Sequence, residues 1–253
     1  HSWQKMITDL HWSNCVNCKA YREIINKAVI DMETGAKTYD EVARDVIHKL
    51  SESGIKTLEW DSETGKRIVR RADSHFRMNV NEGVKRVNQE LMNENGKLFG
   101  ADGVETSMHS LCAPDHRDYQ GKQFSLKEWE KINAHLKRPW GTLNCQHFAT
   151  PIILDVSEPV YTDAERQAAI DRSTEVVEWG SAKMSRYDAS QKMRASERAI
   201  RKLRSEKKAL TAAGAEDEAR KVNTKLRTSI AVYKEKCNKA GLPPRMDRTK
   251  YYL

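Results

Sequence analysis

Between Met108 and Pro151 the chain gathers His109, Cys112 and His116 into one short cluster and Cys145 and His147 into another. The stretch reads M-H-S-L-C-A-P-D-H-R-D-Y-Q-G-K-Q-F at one end and G-T-L-N-C-Q-H-F-A-T-P at the other, and helical periodicity fails across it. Both flanks carry ordinary helical patterns. The expectation is a compact irregular or β-containing knot over 108–151, with helices before and after it.

Two short clusters from separate segments are how tetrahedral zinc sites are assembled from nitrogen and sulfur donors. If 145–147 is a strand, Cys145 and His147 point to one face, as two ligands of one ion should. The expected ligand set is His109, His116, Cys145 and His147, with Cys112 as the substitute fourth ligand and zinc as the metal. The plain alternative is that these side chains are hydrogen-bonded inside a polar core. A third reading makes Cys145 a nucleophile, with a histidine of the first cluster as base and Asp115 as orienter. Residues at i and i+2 on a strand serve each other poorly, so His147 is the weaker base in that reading. The chain has no Gly-rich phosphate loop, no G-x-S-x-G and no H-E-x-x-H.

Charge is distributed unevenly. Residues 181–253 carry 20 Lys or Arg against 8 Asp or Glu, whereas residues 1–180 carry 24 against 28. The overall net charge of +8 therefore belongs to the C-terminal end, which implies a polyanion or an acidic surface as its partner. No apolar run approaches the roughly 20 residues of a membrane span. Five cysteines, not spaced as a disulfide framework, are expected to be reduced thiols. Cys15-x-x-Cys18 has knuckle spacing but lacks a second pair, so two cysteines on a helix face are expected there.

Secondary structure follows from periodicity and punctuation. A helix is expected within 3–30 and ends at Gly35. Thr38 with Glu41 has capping-box spacing and opens a second helix. A short strand from Ile55 to Trp60 and a turn at 61–65 make a small hairpin possible. A polar helix is expected from Arg70 to Asn95, broken by Asn95-Gly96. Ser125 caps a short helix with Trp129, Ile132 and Leu136 on one face, and Pro151–Leu154 reads as a buried strand. Thr162 with Glu165 repeats the capping box. From Ser185 to Leu210 and from Glu216 to Ala240 two helical stripes flank a turn at Gly214, which predicts an αα-hairpin or coiled-coil-like arm. The predicted fold class is α+β. It is mostly helical, with a small β or irregular His/Cys-rich core and a C-terminal basic αα-hairpin arm, divided as a body (1–180) and an arm with its tail (181–253).

On the arm, Arg194, Arg198, Arg201, Lys202, Arg204, Lys207 and Lys208 crowd one helix. Such density can neutralise phosphates without reading sequence, so these residues are the candidate nucleic-acid contacts. Only Tyr187 lies near them, which argues against a single-strand stacking platform.

These residues together resemble the phage minor capsid protein 2 family. The resemblance rests on H-S-L-C-A-P-D-H-R-D-Y-Q-G-K-Q-F, on G-T-L-N-C-Q-H-F-A-T-P and on S-Q-K-M-R-A-S-E-R-A-I-R-K, and covers roughly residues 20–250. Its strongest motifs are His109, His116, Gln120-Gly121, Asn144-Cys145-x-His147 and the run from Glu197 to Arg201. Where the family commonly has a small or Gly-Ala step this chain has Leu111-Cys112, which favours the other ligands over Cys112. Gln146 stands where the family usually has a basic residue. The resemblance implies a head protein of tailed phages or prophages of Gram-positive bacteria, encoded beside the portal protein and present in a few copies in the virion. It implies portal or major capsid protein as partners, possible travel with DNA, assembly in the bacterial cytoplasm, and a structural rather than enzymatic role. Related head proteins often carry effector domains at their C-terminal ends, which keeps a metal- or Cys-dependent hydrolase or nuclease as the alternative.

Overall fold

A computed structural model describes residues 18–55, 57–61, 67–142 and 145–250. Cys15 lies outside these residues, as does the Cys18 side chain, so the Cys-x-x-Cys pair is not described. The chain divides into two compact units, one from residues 18–106 and 123–158, the other from 107–122 and 159–250. Residues 159–180 thus group with the basic hairpin.

The first unit begins with α1 (Cys18–Glu33) and α2 (Tyr39–Glu52). Thr38 caps α2 as its sequence predicts: its hydroxyl accepts from the Glu41 N–H while the Glu41 carboxylate accepts from the Thr38 N–H. The hairpin β1 (Thr57–Asp61) and β2 (Arg67–Arg71) pairs antiparallel and leads into α3 (Ala72–Leu98). Apolar faces of α1, α2 and α3 close over one core of Tyr21, Ile25, Val42, Val46, Leu50, Leu58, Phe76 and Val80. Tyr21 also meets the buried His75 ring, with 2.9 Å between its hydroxyl oxygen and Nδ1.

A three-stranded sheet, ordered β4-β3-β5, completes this unit: β3 (Gly103–Thr106) between β4 (Gln123–Ser125) and β5 (Ala149–Ile152), all antiparallel. Pro151 sits in β5, an edge strand, where a missing N–H is tolerated. Ser125 caps α4 (Leu126–His135) through a second capping box with Glu128.

The predicted break at Asn95-Gly96 does not occur, because α3 runs on to Leu98. Gly96 is there for packing: a Cβ on it would lie 2.5 Å from Pro151 Cβ. Helix propensity favours alanine over glycine by about 1 kcal/mol, but forcing a methyl against a rigid ring costs about 1–3 kcal/mol. Gly96→Ala is therefore expected to lower the melting temperature, and a rise in thermal denaturation would refute this account of the contact.

The second unit contains α5 (Asp163–Thr174), the hairpin β6 (Val176–Trp179) and β7 (Ala182–Ser185), and the long helices α6 (Arg186–Ala212) and α7 (Glu216–Lys239). The β6–β7 hairpin is absent from the sequence expectation, which places the body–arm boundary inside it. Its signal was legible: Val177 and Trp179 alternate with Val176 and Glu178, and the two-residue loop opens on Gly180 at φ +71°. The predicted αα-hairpin is present as an antiparallel pair turning at Gly214. Ala219, Val222, Leu226, Tyr233 and Cys237 form the buried stripe of α7, against Met193 and Ile200 of α6. Gly241 ends α7 and a 3-10 turn over Met246–Thr249 follows. Among the described residues no helix is long and apolar enough to cross a membrane.

Candidate metal centre and basic helix

Cys145 and His147 do not lie on a strand, since β5 starts only at Ala149. A turn delivers them instead, closed by the Cys145 N–H donating to Thr142 O at 2.8 Å. Alternation of faces therefore does not govern their directions, and Cys145 Sγ stands 3.3 Å from His147 Nδ1. The sequence argument that these two cannot serve each other fails for the same reason.

One face of α3 holds this loop in place. Lys85 Nζ donates to Cys145 O, and Gln89, one turn on, accepts from the Ala149 N–H at 3.0 Å while its amide donates to Ala149 O. Burial holds the Lys85 ammonium below the usual lysine range, against the opposing pull of Cys145 and Glu82. Neither Lys85 nor Gln89 was singled out from sequence; both sit on a helix whose polar positions look like solvated surface. His147 is buried under the Trp140 ring, with centroids 4.3 Å apart. Trp129 meets Trp140 edge-on at 5.2 Å, and Phe124 stacks on Trp129 at 5.9 Å. Trp129, Trp140 and α3 line an open cavity of about 590 Å³, together with Met92, Leu126 and Phe148, and His147 borders it.

His116 ends a 3-10 turn over Pro114–His116 and is 2% exposed. Its carbonyl accepts from the N–H groups of Tyr119 and Gln120 at 3.1 and 3.2 Å, and the buried Gln120 in turn accepts from the His109 N–H at 3.2 Å. Cys112, fully buried, donates its thiol hydrogen to Ala113 O at 3.3 Å, while its own carbonyl accepts from Ser173 Oγ at 3.2 Å.

Cys145 and His147 stand together in the first unit as a pair of metal-capable donors, whereas His109, Cys112 and His116 belong to the second unit. A thiolate and an imidazole are donors suited to zinc, so this pair fits the ion the sequence implies.

The candidate nucleic-acid contacts lie along α6. Arg194, Arg198, Lys202 and Lys208 are exposed. Arg201 is half-buried and donates to Arg248 O at 3.1 Å. Arg204 is half-buried as well, and Lys207 reaches across to Asn223 Oδ1 on α7 at 3.0 Å. Beneath them Glu197 is buried and accepts from Tyr233 O–H at 3.0 Å. Burial raises the Glu197 carboxyl above its usual range, although Tyr233 and the arginines around it pull the other way.

The fold and these donors define a predominantly helical α+β protein with a metal-capable Cys145/His147 pair and a basic helical pair. The family model of Phage minor capsid protein 2 matches residues 8–235, and the chain belongs to that family. Neither the curated proteins nor the solved structures compared with it give a match. Family membership implies a structural role in the phage particle, a location in the virion and other virion proteins as partners.

Proposed function

We propose that this chain is a minor head protein placed near the portal vertex, where it contacts the portal or the major capsid protein in an oligomeric assembly. The family match over residues 8–235 carries this reading. His116, Cys145 and His147 hold a zinc ion that cross-links the irregular segments around them, with His109 as the fourth donor. Such an ion substitutes for the apolar core that a loop-rich segment lacks. The burial of both imidazoles supports a structural site. The basic helices reach toward packaged DNA.

The composition of purified particles tests the assembly role. Quantitative mass spectrometry of mature heads from the phage that encodes the chain is expected to find it at a small fraction of the major capsid copy number, cross-linked to the portal. Absence from both mature and precursor heads would rule it out.

The cavity beside His147 favours one alternative, a metal-dependent hydrolase. Catalytic zinc keeps three protein ligands and leaves the fourth position to water, and a chamber of about 590 Å³ is large enough for a small substrate.

A further inference from the structure

Tyr187, Arg194 and Arg201 are spaced by seven residues and so share one flank of α6, a ridge about 20 Å long at 1.5 Å per residue. The C-terminal tail is tied against this flank. The Arg245 N–H donates to the Tyr233 hydroxyl oxygen at 2.8 Å, and Arg201 donates to Arg248 O at 3.1 Å. These two bonds tie the backbone of 245–248 to α6 and α7, near enough for the Arg248 charge to act on Arg194. At the other end, the Arg117 guanidinium lies over the Tyr187 ring, 5.9 Å from its centroid, and its Nε is buried without an acceptor.

This arrangement places like charges together. Arg194 is held below the usual arginine range, first by the protein packed around it and then by the Arg248 charge, although solvent still reaches the side chain. No carboxylate is hydrogen-bonded to Arg194 or Arg248 among the described residues. Nearby acids are occupied: Asp188 by Ser185 at the start of α6, Asp247 by Arg245. Glu197 lies below the surface with Tyr233 as its partner, and one buried carboxyl cannot balance this many guanidinium groups. Adjacent guanidinium groups fixed by the backbone repel each other until an oxyanion bridges them, and their planar forks match phosphate oxygens.

We propose that Arg194 and Arg248, flanked by Arg117 and Arg201, form a phosphodiester-binding ridge that grips the DNA backbone. The proposal rests on the DNA-contact reading and deepens it, because it moves the grip from the lysine-rich end of α6 to the tail-buttressed flank. Arg117 and Arg248 were not among the candidates read from sequence; they are remote in the chain and only the fold brings them to α6.

The test is fluorescence anisotropy of the full chain on a labelled 20-base-pair duplex between 50 and 200 mM salt. Removing two phosphate contacts lowers the slope of log K against log salt by about 2 and weakens binding about 10- to 30-fold near 150 mM. Arg194→Gln/Arg248→Gln is expected to show this, whereas Lys207→Gln/Lys208→Gln changes the slope by less. Arg194→Lys/Arg248→Lys should restore most of the slope. Should the double glutamine variant fail to fold, Arg194→Gln alone, on an exposed helical side chain, still reports a slope loss of about 1. An unchanged slope in a variant that still binds overturns the ridge and leaves DNA contact elsewhere. A wild-type chain with no affinity for the duplex at 50 mM salt overturns both.

Discussion

Replacing His116 or Cys145 with alanine is expected to abolish zinc binding and to lower the melting temperature by about 10 °C. Wild-type protein should carry one zinc per chain by elemental analysis. In small zinc domains metal binding is folding free energy, with apparent values of about 10–16 kcal/mol. Here part of the fold persists without the ion, so a loss of about 3–5 kcal/mol is the better expectation. At about 2–4 °C per kcal/mol for a chain of this size, that is the stated shift. Because the ligands act as a unit, the double variant should melt no lower than either single one. His109→Ala should fall with them when His109 supplies the fourth donor. Cys112→Ser should keep its zinc, because that thiol is committed to Ala113 O. Unaltered melting after loss of the ion would remove the structural role. Unaltered melting with loss of a hydrolytic activity would instead support the enzymatic alternative.

Phe76→Ala is expected to cost about 3–5 kcal/mol, since the ring is 1% exposed at the meeting point of α1, α2 and α3 and its loss leaves a cavity. Urea titration should show the midpoint falling sharply at an unchanged m-value. Phe76→Leu, which keeps much of the volume, should lose less than about 1.5 kcal/mol. A cost under about 1 kcal/mol for the alanine variant would mean that this core does not hold the three helices together.

Much of the architecture is local chemistry and can be read from the chain. Thr38 and Thr162 form the predicted capping boxes and Ser125 the predicted cap, which Glu128 completes to a third box, because a cap satisfies donors within a few residues of itself. The stripe from Ala219 to Cys237 is buried as its spacing requires. Gly96 shows the limit of such reading. Its sequence neighbourhood signals a stop, yet α3 continues through it, and the glycine serves packing instead, since Pro151, 55 residues away, occupies the space a side chain would need. The hairpin at Gly180 is written locally, in the alternation of Val177 and Trp179 and the positive-φ glycine that follows them.

The candidate centre divides the same way. The identity of the donors was legible, since few other residue types bind a soft divalent ion, and so was the family likeness that they carry. The contacts that hold each of them were not: Cys145 Sγ lies 3.3 Å from His147 Nδ1, and Cys112 bonds to its neighbour. Lys85 and Gln89 hold the 145–149 turn from a helix 60 residues earlier. By itself the sequence determined which segments are helical, which faces are apolar and which side chains can do chemistry, because those depend on neighbours a few bonds or one helical turn away. Only the tertiary structure decided what holds the 145–149 segment and which arginines from remote segments reach α6. Those encounters depend on chain closures over tens of residues, whose free energies no local pattern records.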